Sequence, residues 1–130
     1  MKEVVVSLVR KNDLVLIGNL EDDTWEFPNW ESTGNKTVYE VLVDNFSRDF
    51  EVEIRPLHQF GPYQFKQYVQ VTPFICDYIK GKGVTGKYLK LNLIKVTSLK
   101  EVKLTAISQV LLRPLLQSYI QFFRVPKRKS

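Results

Sequence analysis

The sequence is poor in cysteine and histidine, with one residue of each among its 130 residues. A single cysteine cannot form an internal disulfide, and small secreted domains usually depend on several, so we predict a cytoplasmic protein. Cys76 lies within an apolar run, and His58 has no second metal-ligating residue at a typical spacing. We therefore assign these side chains structural or surface roles and predict neither a metal site nor a cofactor.

Long apolar runs are also missing. The two runs near the N-terminus are interrupted by Arg10, Lys11 and Asp13, and neither is long enough to span a bilayer or is followed by a cleavage site. The hydrophobic content of 44% is nevertheless enough to bury one core. We predict one domain over residues 1–123, a basic tail over residues 124–130, and no membrane partner.

Charge is divided unequally along the chain. Residues 1–79 carry 7 Lys/Arg and 13 Asp/Glu, a net charge of −6, whereas residues 80–130 carry 12 and 1, a net charge of +11, which together give the overall +5. Such a division favours contact with a polyanion, although lysines can also simply solubilise exposed strands and a tail. The candidate phosphate-binding residues are Lys66, Lys80, Lys82, Lys87, Arg124, Lys127, Arg128 and Lys129.

Periodicity predicts a mixed arrangement of strands and helices. Strands are predicted over residues 3–10, 14–20, 25–27, 51–60, 65–79 and 87–96, and residues 29–36 are predicted to form a loop. Thr37 and Glu40 have the spacing of a capping box and open a helix, whose apolar stripe includes Phe46 and Phe50. A C-terminal helix is predicted from about Thr105 to Phe123, with a kink or break at Pro114.

The tetrapeptide Trp25-Glu26-Phe27-Pro28, followed by a loop and a capped helix, resembles the Nudix hydrolase family. In that family the tetrapeptide precedes a Gly-Gly-Lys loop and a catalytic helix, and the motif is written G-x5-E-x7-R-E-U-x-E-E-x-G-U, where U is bulky and apolar. Aligned without a gap, Phe46 and Val52 take the two U positions, and the resemblance covers nearly the whole chain. It implies an α/β/α sandwich, in which a mixed β-sheet is flanked by the central capped helix and the C-terminal helix.

The other motif positions hold different residues in this sequence. The family's two glycines become Trp30 and Glu51, its first glutamate becomes Lys36, and its Arg-Glu and Glu-Glu pairs become Asp44-Asn45 and Arg48-Asp49. A tryptophan at the first glycine would be strained if that turn required a positive φ. Nudix chemistry holds divalent cations with clustered glutamates, and only Asp49 keeps an acid. The resemblance therefore implies a degenerate cleft without catalytic residues, formed by Glu26, Trp30, Lys36, Asn45, Arg48 and Asp49.

These observations predict a pseudoenzyme that binds nucleic acid, first of all RNA, as a subunit of a larger ribonucleoprotein. One alternative is a regulatory or scaffold domain that binds a nucleotide-like ligand, a protein partner or a second copy of the chain. Another is a divergent, divalent-dependent nucleoside-diphosphate hydrolase with relocated acids, for which the nearby candidates are Asp22, Asp23, Glu26, Glu31, Glu40 and Asp49. The sequence identifies neither the ligand nor the oligomeric state.

Overall fold

The computed structural model describes residues 1–32 and 34–118, in which short strands alternate with two α-helices. In chain order the elements are β1 (Lys2–Lys11), β2 (Leu14–Asn19), β3 (Trp25–Glu26), β4 (Asn29–Glu31), α1 (Val38–Phe50), β5 (Val52–Gln59), β6 (Tyr63–Lys66), β7 (Val69–Gly81), β8 (Lys90–Lys95) and α2 (Ala106–Gln117). Two 3-10 helices, Glu21–Asp23 and Val96–Glu101, precede β3 and α2. No helix in the described residues has the length and apolar character needed to cross a bilayer.

The strands form one mixed sheet with β1 near its centre. β1 pairs in parallel with β7 and antiparallel with β2 and β4, and the sheet runs in the order β3-β2-β1-β7-β5. β8 extends the sheet alongside β2, and β6 alongside β7. Parallel strands cannot be joined by a tight turn, so the connection from β1 to β7 includes α1. The predicted hairpin of β1 and β2 is confirmed.

Each face of the sheet is covered by one helix. Phe46 and Phe50 of α1 pack against Val5 of β1 on one face, while Leu111 of α2 packs with Val6 of β1 on the other. Neighbouring residues of a strand point to opposite faces, so β1 contributes to both cores. The predicted α/β/α sandwich is therefore confirmed.

Helix α1 begins as its sequence predicts. The Thr37 hydroxyl accepts a hydrogen bond from the Glu40 amide at 3.1 Å, and the Thr37 amide donates to the Glu40 carboxylate at 3.0 Å. That amide hydrogen bond lowers the pKa of Glu40. The helix ends at Phe50, and the capping residue Glu51 has a left-handed φ of 54°, so a glutamate takes the conformation that glycine usually provides after a helix.

Several predicted boundaries are wrong. Residues 29–31 belong to strand β4, where Trp30 pairs with Val5, so the expected strain of a positive φ at Trp30 does not arise. The strand predicted over residues 65–79 is interrupted at Tyr68, whose φ is 70°. Helix α2 contains Pro114. Its predicted end at Phe123, the domain boundary there and the basic tail lie outside the described residues.

Candidate active site

The candidate site lies where the end of α1 meets β3 and the segment between β7 and β8, residues 82–89. The amide of Val84 donates to the carbonyl of Phe50 at 3.0 Å, and this bond ties the segment to the last residue of α1. Farther along, the amide of Leu89 donates to the carbonyl of Asn19 at 2.8 Å, at the end of β2. Both ends of the segment are thus fixed against neighbouring elements. The sequence predicts part of it as strand, but β8 begins only at Lys90.

A turn within this segment places Lys87 and Tyr88. Gly86 has a φ of 56°, and the amide of Tyr88 donates to the carbonyl of Thr85 at 2.9 Å. The Tyr88 ring is buried and stacks on Phe50 with 5.8 Å between ring centroids. It also covers Gly18 so closely that a Cβ there would lie 2.4 Å from ring carbons. Gly18 therefore provides the space that Tyr88 occupies.

Glu26 of β3 is the buried carboxylate of the site. Its Oε2 accepts a hydrogen bond from the Tyr88 hydroxyl at 2.8 Å and lies 3.7 Å from the Lys87 ammonium nitrogen. Burial, together with the negative charge of Glu26, raises the pKa of Tyr88, so the phenol stays a hydrogen-bond donor. Glu26 Oε1 has no hydrogen-bond partner among residues 1–32 and 34–118, and it is not fully buried. This second oxygen can accept a hydrogen bond from water.

Asp49, in the last turn of α1, is the second carboxylate. It pairs with two guanidinium nitrogens of Arg48, at 2.6 and 3.1 Å, and accepts a hydrogen bond from the Trp30 indole nitrogen at 3.1 Å. The Arg48 hydrogen bonds hold the pKa of Asp49 below its usual value against the opposing effect of burial, and Trp30 and the positive charge of Lys87 lower it further. Asp49 is therefore ionised and partly screened at neutral pH.

A cavity of about 420 Å³ adjoins Lys87. Lys87, whose ammonium contacts Glu26, forms part of its wall. The other lining residues combine two leucines with acidic and hydroxyl groups: Leu20, Glu21, Asp22, Thr24 and Leu89. A cleft with apolar walls and a few charged groups is typical of small-molecule sites.

The structure brings together most, but not all, of the predicted cleft. Trp30 and Arg48 contact Asp49 directly, and Glu26 is connected to Asp49 through Lys87, which is 3.7 Å from Glu26 and whose charge acts on Asp49. Asn45 lies one helical turn before Asp49. Lys36 instead precedes the first turn of α1 and pairs with Asp44 at 3.3 Å, so it lies at the opposite end of the helix.

The resemblance implies a divalent cation, but the described side chains do not fit one. No group of three or more His, Cys, Asp or Glu side chains within residues 1–32 and 34–118 could hold a metal ion. Asp49 is committed to Arg48, and Glu26 to Tyr88 and Lys87. Magnesium requires several oxygen ligands with net negative charge, which this pair of neutralised carboxylates does not provide.

The predicted phosphate-binding lysines are spread over several elements of the described part of the chain. Lys66 pairs with Val69 at the beginning of β7, whereas Lys80 lies near the end of that strand and 3.9 Å from Glu53. Lys82 follows β7, and Lys87 lies in the cleft. Arg124, Lys127, Arg128 and Lys129 lie outside the described residues. Binding to RNA therefore stays a prediction.

Sequence reasoning missed Gly18 and Tyr88, and it did not place Lys87 beside Glu26. Gly18 interrupts an otherwise apolar strand, and a glycine inside a strand often indicates close approach by another group. That signal identifies a crowded position but does not name its partner. Tyr88 is separated from Glu26 by 62 positions, so their hydrogen bond could not be inferred from local spacing.

The fold is shared with solved structures of Nudix hydrolases and related pyrophosphatases. An ADP-ribose pyrophosphatase from Streptococcus suis is similar with a TM-score of 0.75 at 12% identity, over 90% of each chain. A Nudix hydrolase from Nitrosomonas europaea gives 0.75 at 13% identity, over 90% of this chain and 70% of that one. A UDP-X diphosphatase gives 0.76 at 11% identity, over 92% and 62% respectively. No protein-family model matches the chain, and neither does any curated protein sequence.

These similarities correct one prediction. The inference that the chain is not an enzyme is wrong, because the three structures named above, which share its fold, are a pyrophosphatase, a hydrolase and a diphosphatase. That inference equated the loss of helix glutamates with the loss of a site. The fold instead assembles charged groups from β3, from the end of α1 and from residues 82–89, and a motif confined to one helix does not describe them.

Proposed function

We propose that the chain hydrolyses the diphosphate linkage of a nucleoside diphosphate derivative in the cleft formed by Glu26, Asp49 and Lys87. The observation that carries this proposal is the position of that cleft, with its carboxylates and adjoining cavity, in a fold shared with hydrolases. Two of the similar structures are named for such substrates, one for ADP-ribose and one for a UDP derivative. This is the hydrolase alternative that the sequence left open.

The cavity suits the nucleoside part of such a substrate. Leu20 and Leu89 offer apolar contacts for a base, while the carboxylates of Glu21 and Asp22 can accept hydrogen bonds from ribose hydroxyls. The phosphates then extend toward Lys87, whose side chain is 53% exposed and free to contact them. Ammonium and guanidinium groups form charge-assisted hydrogen bonds with phosphate, so Arg48 can add a second contact.

Glu26 is the group best placed to accept a proton from water. Its Oε2 is held by Tyr88, and its Oε1 remains available to a water molecule in the cleft. The oxygen of that water forms a bond to phosphorus as its proton passes to Glu26, and the bond from phosphorus to the bridging oxygen breaks. The products are two phosphate monoesters. Lys87 and Arg48 offset the negative charge that develops on the phosphate oxygens.

The test is hydrolysis of ADP-ribose, a UDP-sugar and ATP, each assayed with Mg²⁺, with Mn²⁺ and with EDTA by anion-exchange separation of the products. Glu26→Gln should lower the rate by about 100-fold or more, because it removes the proton acceptor while keeping the shape. Asp49→Asn should lower it less, since Asp49 acts by holding Arg48 and Trp30. Glu53→Gln is the matched control, a carboxylate on the outer strand β5 that pairs with Lys80.

Two outcomes would contradict the proposal. One is the absence of turnover for every substrate under all three conditions. The other is turnover that Glu26→Gln and Glu53→Gln reduce to the same extent, because the activity would then not depend on the cleft.

A further inference from the structure

The ammonium of Lys87 interacts with two carboxylates from different elements, Glu26 of β3 and Asp49 of α1. It is 3.7 Å from Glu26 Oε2, and its charge also lowers the pKa of Asp49. Both carboxylates in turn act on the same phenol, since the negative charges of Glu26 and Asp49 each raise the pKa of Tyr88. Lys87, Glu26, Asp49 and Tyr88 thus form one electrostatic cluster, in which Lys87 is the positive side chain.

The protein backbone holds Lys87 at this place. Val84 and Leu89 are hydrogen-bonded to the ends of α1 and β2, and Gly86 provides the left-handed turn between them. The ammonium also lies 5.3 Å from the centroid of the Tyr88 ring, where a cation is attracted by the aromatic face. These contacts restrict where the charge can go, unlike a lysine on an open strand.

We propose that Lys87 is the resident cation of this site and binds the phosphates of a nucleoside diphosphate without a divalent metal ion. The inference rests on the proposed function, because it concerns how the same cleft binds its substrate. Lys87 balances the charge of Glu26, and Arg48 balances that of Asp49. The only carboxylate ligands that the cluster offers a divalent ion each lie beside a positive side chain. Repulsion between the divalent ion and these positive charges opposes metal binding.

Nucleotide binding without turnover provides the first test. The probe is α,β-methylene ADP, which cannot be hydrolysed, titrated into the full chain by calorimetry in EDTA and again in Mg²⁺. The two dissociation constants should agree within about threefold, and Lys87→Met should weaken binding by about 10- to 100-fold, as expected for loss of a charged hydrogen bond. Lys87→Arg should retain most of the affinity. Lys80→Met is the matched control, because Lys80 also pairs with one glutamate but lies on β7.

Metal binding without nucleotide provides the second test. Titration of the wild-type chain with Mn²⁺, followed by electron paramagnetic resonance, should show no site tighter than about 1 mM. A tighter Mn²⁺ site that disappears in Glu26→Gln would overturn the inference. So would nucleotide binding that is at least tenfold tighter with Mg²⁺, no nucleotide binding in EDTA up to about 1 mM, or equal affinities for wild type and Lys87→Met.

The two proposals can fail separately. If the methylene analogue binds in EDTA through Lys87 but no substrate is hydrolysed, the proposed function is wrong and the resident cation stands. If hydrolysis occurs only with Mg²⁺ and the wild-type chain binds Mn²⁺, the hydrolase stands and the resident cation is wrong.

Discussion

Gly18→Ala should disrupt the site through a single methyl group. A Cβ at position 18 would lie 2.4 Å from two carbons of the Tyr88 ring, well inside van der Waals contact. The ring cannot move aside cheaply, since it is buried, stacks on Phe50 and donates a 2.8 Å hydrogen bond to Glu26. Overpacking of this kind costs about 1–3 kcal/mol, and weakening a hydrogen bond to a carboxylate adds to that cost. We expect the free energy of unfolding to fall by about 2–4 kcal/mol.

Urea unfolding of four proteins isolates this contact: wild type, Gly18→Ala, Tyr88→Ala and the double variant. Gly18 does not have a positive φ, so alanine suits its backbone, and the strain comes from the ring. In the Tyr88→Ala background the cost of Gly18→Ala should therefore fall to near zero, which gives a coupling energy of about 1.5 kcal/mol or more. A cost below about 0.5 kcal/mol, or equal costs in both backgrounds, would refute the reasoning.

Two further predictions concern the end of α1. Glu51→Gly should raise the free energy of unfolding by about 0.5–1 kcal/mol, because Glu51 has a φ of 54°. Glu53→Gly, inside β5, should lower the free energy of unfolding. Urea midpoints of the two variants measure both effects, and a destabilised Glu51→Gly would contradict the prediction. The pKa of Asp49 is lowered in the folded state, so its ionisation adds stability above the unfolded-state pKa near 4, and that stability is lost as the pH falls toward the folded-state pKa. The stability difference between wild type and Asp49→Asn should therefore shrink as the pH falls below about 4 in urea titrations. A difference that stays constant as the pH falls would count against the role of Arg48.

Local sequence signals predicted the parts of the fold that depend on near neighbours. Thr37 and Glu40 are three residues apart, and their capping box forms as expected because the groups involved share one turn. The apolar stripe of α1 likewise identified Phe46 and Phe50 as core residues, because helical spacing alone places them on one face. The hairpin of β1 and β2 follows from two apolar runs around a short turn.

Long-range pairing was not accessible in the same way. Trp30 looked like a loop residue because its neighbours are polar, yet β4 forms through pairing with Val5, which lies 25 positions earlier. Glu51 has a left-handed backbone conformation, which glutamate rarely adopts. Hydrogen bonds from its amide to the carbonyls of Phe46 and Ser47 hold it in this conformation. Tertiary contacts override local preference in both cases.

The charge of the cleft shows why one motif was a poor guide to the site. Replacement of helix glutamates in the family pattern suggested loss of catalysis, because a metal would lose its ligands. That reasoning counts acids on α1 alone, whereas the electrostatics of a site depend on all charges within a few ångströms, whatever element supplies them. Here Glu26 comes from β3 and Lys87 from the segment before β8, and their 3.7 Å contact places a positive charge beside the acids. If Lys87 provides the charge that a metal would otherwise supply, the site needs fewer carboxylates on α1 to balance it.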